Sequence, residues 1–399
     1  LSDTDTTNAV GTELVTNGTF DTNVNGWSIG GSSNGTIALD NQRLKLTNQT
    51  AGNFGYVYAL FDTVVGKYYT VSLDLVSGGT AGQNYVQVGT SVSSTAFQNV
   101  SLGAAPKHHT FTFKATTTSS QVRLATGTAV GLYSFWDNIS VRLAEEDRSV
   151  NGNGLQVFGT VTKTAVATGA DLVAYSGFSG SNYLEQPYNS DLDFGTGDFS
   201  YATWFKCTSA GGAQYFYKRG ENTGGSVGMT VWTATDLQYV ALYINGAGVQ
   251  TPTASYPLGI WNQLVIARRN GVVTFYINGR AVHSANATSS VPTGMAAQVG
   301  YSATSSSLSL TRISATAPAA EQIAKMYNDE KHLFQENAQA TLYGTSDAVT
   351  ALAYDDDTEL LHAGTSAGRS VFQGLRRVSN TTDAVGVAIS ASNDLVVEE

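Results

Sequence analysis

The side chains best suited to chemistry in this chain are flat and uncharged. A saccharide presents an apolar C–H face and a rim of hydroxyls. A site for one therefore needs an exposed aromatic face, with Asn, Asp or Gln beside it to direct hydrogen bonds. The first third of the chain offers Trp27, Tyr56, Tyr58 and Tyr85 for this role, and the middle offers Tyr183, Tyr215, Tyr217, Trp232 and Tyr239. Trp204 and Trp261 lie in apolar runs and read as core.

Covalent chemistry finds little support. A glycosidase needs two carboxylates across a cleft, one with a raised pKa. Glu185 and Glu221 are the candidates, and neither sits in a Glu-x-Asp-x-x-Glu pattern. The sequence contains no His-Glu-x-x-His and no Gly-x-x-x-x-Gly-Lys phosphate loop. His108 and His109 are neighbours on an alternating run, so they face opposite sides and read as surface residues. Cys207, the only cysteine, follows an apolar run and reads as a small buried hydrophobe. A lone cysteine excludes an intrachain disulfide and fits folding in a reducing compartment. Asp355, Asp356 and Asp357 do not follow the EF-hand pattern and read as a solvated turn. No catalytic residue is expected, and the chain reads as non-enzymatic.

The elements that must hold those rings are strands. Of 399 residues, 42 are glycine and 20 are tyrosine, while charged residues make up only 13%. Few charges with many turn formers and aromatics indicate a folded all-β protein. Period-two runs recur at 38–46, 56–60, 68–75, 109–114 and 121–125, bounded by Gly, Asn and Ser. Asn270-Gly271, between apolar runs at 264–268 and 272–277, marks a tight hairpin. The spacing predicts one helix from Pro318 to Asn328, extending to Phe334, capped at Thr316 or Ala317, with Ile323, Met326, Tyr327 and Leu333 on its buried stripe. The expected order is an arm or linker at 1–12, a sandwich at 13–143, a linker at 144–153 and a second sandwich with its helix at 154–335. A β segment at 336–399 follows, with strands at 348–354, 359–363, 370–376, 384–389 and 395–397. Its spacing resembles one propeller blade, which cannot cover its own faces, so it is expected to pair with copies of itself or with another protein. The expected class is all-β: two tandem antiparallel β-sandwiches of jelly-roll type, plus a small C-terminal β-rich oligomerisation segment preceded by one short helix.

Bulk charge narrows the partners. A formal net charge of -10 with no basic face disfavours nucleic acid and anionic membranes. No apolar run reaches the roughly 20 residues of a membrane span. The first residues have no basic and apolar leader pattern. Seven Asn-x-Ser/Thr sequons read as chance in a chain this rich in Asn and Thr.

Two resemblances sharpen the reading. Asn17-Gly18-Thr19-Phe20, Gly26-Trp27 and the closing Trp136-Asp137-Asn138-Ile139-Ser140-Val141 resemble carbohydrate-binding modules of the jelly-roll type. Phe199-x-x-Ala-Thr-Trp-Phe205, Trp261-Asn-Gln-Leu264, Phe275-Tyr-Ile-Asn-Gly279 and Glu321-Gln-Ile-Ala-x-x-Tyr327 resemble the laminin-G or concanavalin A-like lectin fold. The first resemblance implies a structural calcium ion stapling the first strand to the last. It would be held by Asp137 and Asp21 with carbonyls near Gly18; Asp191 and Asp193 would serve the second sandwich. Together the segments resemble a bacteriophage tail fibre or other virion adhesin. That implies a homotrimer assembled in the host cytoplasm, carried on the virion, and binding a host-surface glycan and other virion proteins. Two further readings stay open. One is a purely structural fibre, collar or capsid-decorating protein; the other is a polysaccharide-degrading tailspike. A secreted bacterial carbohydrate-binding protein is a fourth.

Overall fold

A computed structural model describes residues 4–30, 35–78, 83–90, 93–208, 212–220, 228–339, 341–345 and 348–398. The chain is all-β with one α-helix among these residues.

The first sandwich stacks two five-stranded antiparallel sheets. One runs Ser28–Ile29, Gly55–Asp62, Ser119–Thr126, Tyr85–Thr90, Ser93–Ser101 in spatial order. The other runs Gly35–Leu39, Leu44–Asn48, Tyr133–Glu145, Tyr68–Ser77, Lys107–Lys114. Alternation places Val57, Ala59, Val86, Val88, Val122 and Leu124 inward from the first sheet. They meet Leu44, Leu46, Val71, Leu73 and the fully buried Trp136 of the second. The opening segment is tied to the closing strand by backbone bonds, Leu14 N to Val141 O at 3.0 Å and Ile139 N to Gly18 O at 3.0 Å. Glu13 adds to the tie, accepting from Val141 N and Ser140 Oγ and pairing with Arg142.

The strand Leu155–Ala165 enters the second sandwich and serves both its sheets. The front sheet continues through Tyr183–Gln186, Ala297–Val299, Ala213–Gly220, Gly228–Ala234, Tyr239–Ile244 and Ala247–Gln250. The back sheet comprises Val173–Ser176, Ser306–Ser314, Phe199–Cys207, Asn262–Arg269, Val272–Ile277 and Arg280–Asn286. Asn270 and Gly271 both have positive φ, 50° and 76°, as the tight hairpin requires.

Two segments read from sequence as connectors take part in the sheets. Ala9–Gly11 pairs antiparallel with 159–161 of the second sandwich. A Cβ on Gly11 would lie 1.8 Å from the Val157 carbonyl oxygen, so this strand can anneal only with glycine there. Ala144 and Glu145 extend the last strand of the first sandwich and pair with Gln156 and Leu155, which makes the connection a hairpin. At this junction Glu145 accepts from Lys163 Nζ at 3.2 and 3.3 Å and from Tyr175 Oη at 2.8 Å, with Lys163 only 5% exposed. Gln156 Nε2 reaches Thr70 O, and Gly154 bonds both Thr70 and Thr112.

The helix spans Ala320–Glu330, two residues later than Pro318, because Ala319 is its cap. Gln322 closes the first turn by accepting from Ala319 N at 2.8 Å. A 3₁₀ turn, Lys331–Phe334, continues it. Ile323 is fully buried against Ala202 and Val265 on the outer side of the back sheet. The C-terminal segment forms a four-stranded meander, Val349–Asp355, Leu360–Thr365, Gly368–Gln373 and Arg376–Asn380, plus a hairpin of Ile389–Ser392 and Leu395–Glu398. The single strand expected at 370–376 is instead broken by a turn at Gly374-Leu375, and the one expected at 384–389 begins only at Ile389.

Candidate functional site

The outward face of the first sandwich's sheet Ser28–Ile29/Gly55–Asp62/Ser119–Thr126/Tyr85–Thr90/Ser93–Ser101 gathers three of the expected rings. In the strand Gly55–Asp62 the inward positions are Val57, Ala59 and Phe61, which sends Tyr56 and Tyr58 outward. Register then sets Arg123 opposite Tyr58 and Gln87, and Tyr85 opposite Ala125, which itself faces Tyr56. Phe54, just before the strand, joins them: its centroid is 6.1 Å from Tyr56 and 5.2 Å from Tyr85, the latter pair edge to face. The Arg123 guanidinium lies 4.0 Å from the Tyr56 centroid and its Nε donates to Gln87 Oε1 at 2.5 Å. Gln87 Nε2 in turn donates to Asn99 Oδ1 at 3.0 Å. Burial, opposed by the Tyr56 phenol, lowers the Arg123 pKa from the usual arginine value. Four rings, a guanidinium and two amides thus share one half-open face; Phe54, Tyr56 and Tyr85 brace one another, Arg123 braces Tyr56, and Tyr58 is placed beside them by register.

Trp27 does not join this face. It is 6% exposed, packs 5.5 Å from Phe20 in the core, and its Nε1 is buried without a protein partner. The Trp27 ring fills the interior of the first sandwich.

A second aromatic group occupies the outward face of the front sheet. Trp232 is opposite Tyr215 and Ala241 in register, and its centroid lies 6.2 Å from Tyr215, 5.5 Å from Tyr239 and 6.1 Å from Tyr243. On the same sheet Tyr183 stacks on Phe158 at 4.7 Å and meets Tyr301 edge-on at 5.6 Å. Arg142 and Lys218 lie over Phe158 and Tyr301 at 4.1 and 4.3 Å. Tyr217 is the exception among the expected rings. A bulge between Tyr215 and Tyr217 breaks the alternation, so Tyr217 turns inward, 2% exposed, against Tyr201 at 5.6 Å. Burial pushes its phenol far above the usual range. It lines a cavity of about 610 Å³ that reaches the connecting hairpin at Asn153.

The expected metal ligands do not assemble. Gly18 O is committed to Ile139 N, Asp21 accepts from Thr19, and Asp137 accepts from Asn138 N. Burial raises the Asp137 pKa, and the charges of Asp74 and Asp21 add to the effect. Asp193 is engaged elsewhere: its carboxylate takes a hydrogen bond from the fully buried Arg219 and another from Tyr188 Oη at 2.9 Å. Asp191 is exposed in a 3₁₀ turn, where its backbone N is capped by Asn189. Among the described residues no three His, Cys, Asp or Glu side chains are placed to hold one metal ion. This donor set does not fit the calcium that the resemblance implies.

The other candidates resolve as follows. Glu185 is half-buried and burial raises its pKa, against the hydrogen bond from Gln298 at 2.9 Å and the charge of Arg142; no second carboxylate is among the groups that set its titration. Glu221 lies outside the described residues. His108 and His109 are half-buried where surface positions were expected. His108 Nδ1 lies 2.6 Å from Asp74, and His109 is pressed against Phe111. Burial opposes ionisation of Asp74, yet the bonds from His108 and Asn138 hold its carboxyl below the usual range. Cys207 is buried, as expected, and burial raises its thiol pKa. Asp355 departs from a plain solvated turn: it accepts from Asn393 N and Asp394 N, pinning the last hairpin to the meander. Phe54, Arg123 and Gln87 escaped the sequence reading, though the period-two run at 121–125 already placed Arg123 on the same side as Gln121 and Ala125.

A family model described as the concanavalin A-like lectin/glucanases superfamily, of the laminin G type, matches residues 178–324. Over these residues the second sandwich is similar to the concanavalin A-like lectin fold. No curated protein matches the chain. Among solved structures, the family 40 carbohydrate-binding module of the Ruminococcus gnavus IT-sialidase, bound to α2,3-sialyllactose, is 11% identical, with 36% of this chain and 92% of that one covered and a TM-score of 0.30. The botulinum neurotoxin serotype D binding domain is 14% identical over 58% of this chain and 60% of its own, TM-score 0.38. Domain 4 of the Geobacillus stearothermophilus extracellular arabinanase AbnA, in complex with arabinotriose, is 17% identical over 46% and 92%, TM-score 0.36. The fold assignment rests on the family model and the strand register.

Proposed function

We propose that this chain binds glycans without altering them, chiefly through the outward face that carries Phe54, Tyr56, Tyr58, Tyr85 and Arg123, and that it does so as a phage tail fibre or comparable virion adhesin. One observation supports the glycan reading above the rest. Four rings, Arg123, Gln87 and Asn99 meet on one half-open face, the pairing of flat apolar surface and directed polar groups that a sugar requires. The Trp232 cluster on the second sandwich is a second such surface. The virion reading draws on tandem sandwiches, low charge and the C-terminal segment. In that segment Leu352, Tyr354, Val387, Leu395 and Val397 are each more than half exposed. In the proposed homotrimer these side chains would be covered as subunit contacts. Three copies on one shaft would strengthen weak individual sites through effective concentration.

A glycan array with the full chain tests the reading. Saturable binding that is lost in Tyr56→Ala and Tyr85→Ala supports it. A blank array with intact oligomers by light scattering would instead establish the structural reading, in which these faces contact other virion proteins. Sugar release from capsule or lipopolysaccharide would establish the tailspike.

A further inference from the structure

Four rings on the helix side of the second sandwich form an unbroken ladder. Tyr327 stacks on Trp204 at 5.7 Å between centroids, Trp204 stacks on Phe334 at 4.2 Å, and Phe334 meets Trp261 at 4.9 Å. An ammonium stands at each end: Lys331 Nζ is 5.6 Å from the Tyr327 centroid, and Lys206 Nζ is 5.7 Å from that of Trp261. The ladder floors an open groove of about 360 Å³ with Ile260 on its rim. Trp204 is buried beneath it, while Trp261, Phe334 and both lysines are half-buried and present surface to the groove.

Both indoles are locked. Trp204 Nε1 donates to Glu330 Oε2 at 2.6 Å, and Trp261 Nε1 donates to Val166 O at 2.9 Å. A floor fixed before binding removes the ordering cost a mobile one would add. Neither Lys206 nor Lys331 has a carboxylate partner among the described residues; Lys331 Nζ donates to Asn328 Oδ1. In a chain of net charge -10, two such cations beside one aromatic floor form a local site for an anion.

We infer that this groove binds an acidic saccharide, with its ring face on Trp261 and Phe334, one carboxylate, sulfate or phosphate held by Lys206 at that end and, in a longer acidic chain, a second held by Lys331 at the other. The inference shares with the proposed function only the ligand class; its site and its charge selectivity stand on separate residues.

Tryptophan fluorescence titration of the full chain tests it, with trigalacturonate, galactose 6-sulfate and glucose 6-phosphate as probes and carboxyl-reduced trigalacturonate as the neutral control. At least one acidic probe should quench saturably, with the neutral control at least about tenfold weaker. Lys206→Met and Lys331→Met should each weaken trigalacturonate binding about tenfold, the loss of one charge-assisted hydrogen bond. Lys206→Arg should retain it, which separates lost charge from lost folding. The inference is overturned if no acidic probe saturates by about 10 mM, if the neutral control binds equally, or if the Lys206→Met/Lys331→Met double variant binds as before.

Discussion

Replacing Asp193 by asparagine tests whether its carboxylate anchors a buried cation or serves a metal. Arg219 is fully buried, and it donates to Leu192 O, to Met295 O and to Asp193. The Asp193→Asn variant would leave the guanidinium in place with carbonyl acceptors alone. Removing one partner of a buried pair costs about 3–5 kcal/mol. The Asp193 side chain keeps 17% exposure, so screening sets the expected loss near the lower bound, about 3 kcal/mol. For a domain of this size each kcal/mol moves the melting point by about 2–4 °C, a fall of roughly 6–12 °C. Calorimetry of the full chain should show that fall in the transition of the second sandwich. Arg219→Met added to Asp193→Asn should recover at least half of it, because the stranded charge is then gone. A chelator should leave the wild-type transition where it is. A fall under about 1 kcal/mol, or a wild-type transition that drops with chelator as far as the variant's, would refute the anchor and restore the metal role.

Three further outcomes follow from the same geometry. Trp27→Ala should destabilise the first sandwich by about 3–5 kcal/mol in chemical denaturation, the value for an emptied aromatic core site, while the folded variant keeps its glycan binding. Tyr56→Ala and Tyr85→Ala should do the reverse, shifting stability little and weakening array binding by about 1–3 kcal/mol, roughly 5- to 150-fold. Burial, aided by the charges of Lys107 and His108, lowers the His109 pKa from its usual 6.5. Between the lowered value and 6.5 the unfolded chain binds more protons, so stability rises with pH there. The contribution is complete above pH 6.5 and is lost as pH falls below it; melting the first sandwich across that window should show a slope that His109→Leu flattens.

The parts legible in the sequence were those set by local chemistry. Asn270-Gly271 announced its hairpin because both residues must take positive φ. Ile323 and Tyr327 announced a helix face because only a period near four brings them together. What stayed hidden was decided by partners far along the chain. Alternation shows that Tyr56 and Tyr58 share a side, but only pairing with Ser119–Thr126 and the opposing sheet shows that this side is outward. Tyr215 and Tyr217 look equivalent at a spacing of two, and one extra residue in the ladder sends them to opposite faces. Asp193 looked like a free carboxylate because Arg219, which claims it, is 26 residues away. Trp261 read as core because it opens an apolar run, yet the strand starts one residue later and leaves its ring on a groove.

The annealing of Ala9–Gly11 onto residues 159–161 has a mechanical consequence. Tension applied upstream of Ala9 passes across this short ladder directly into the second sandwich. Everything between, the whole of the first sandwich, hangs to one side as a closed loop that carries no strain. Because Ala9 lies opposite Val161, load entering at the one and leaving past the other opens the antiparallel clasp from one end, pair by pair, and reaches the first sandwich only after all three pairs have parted.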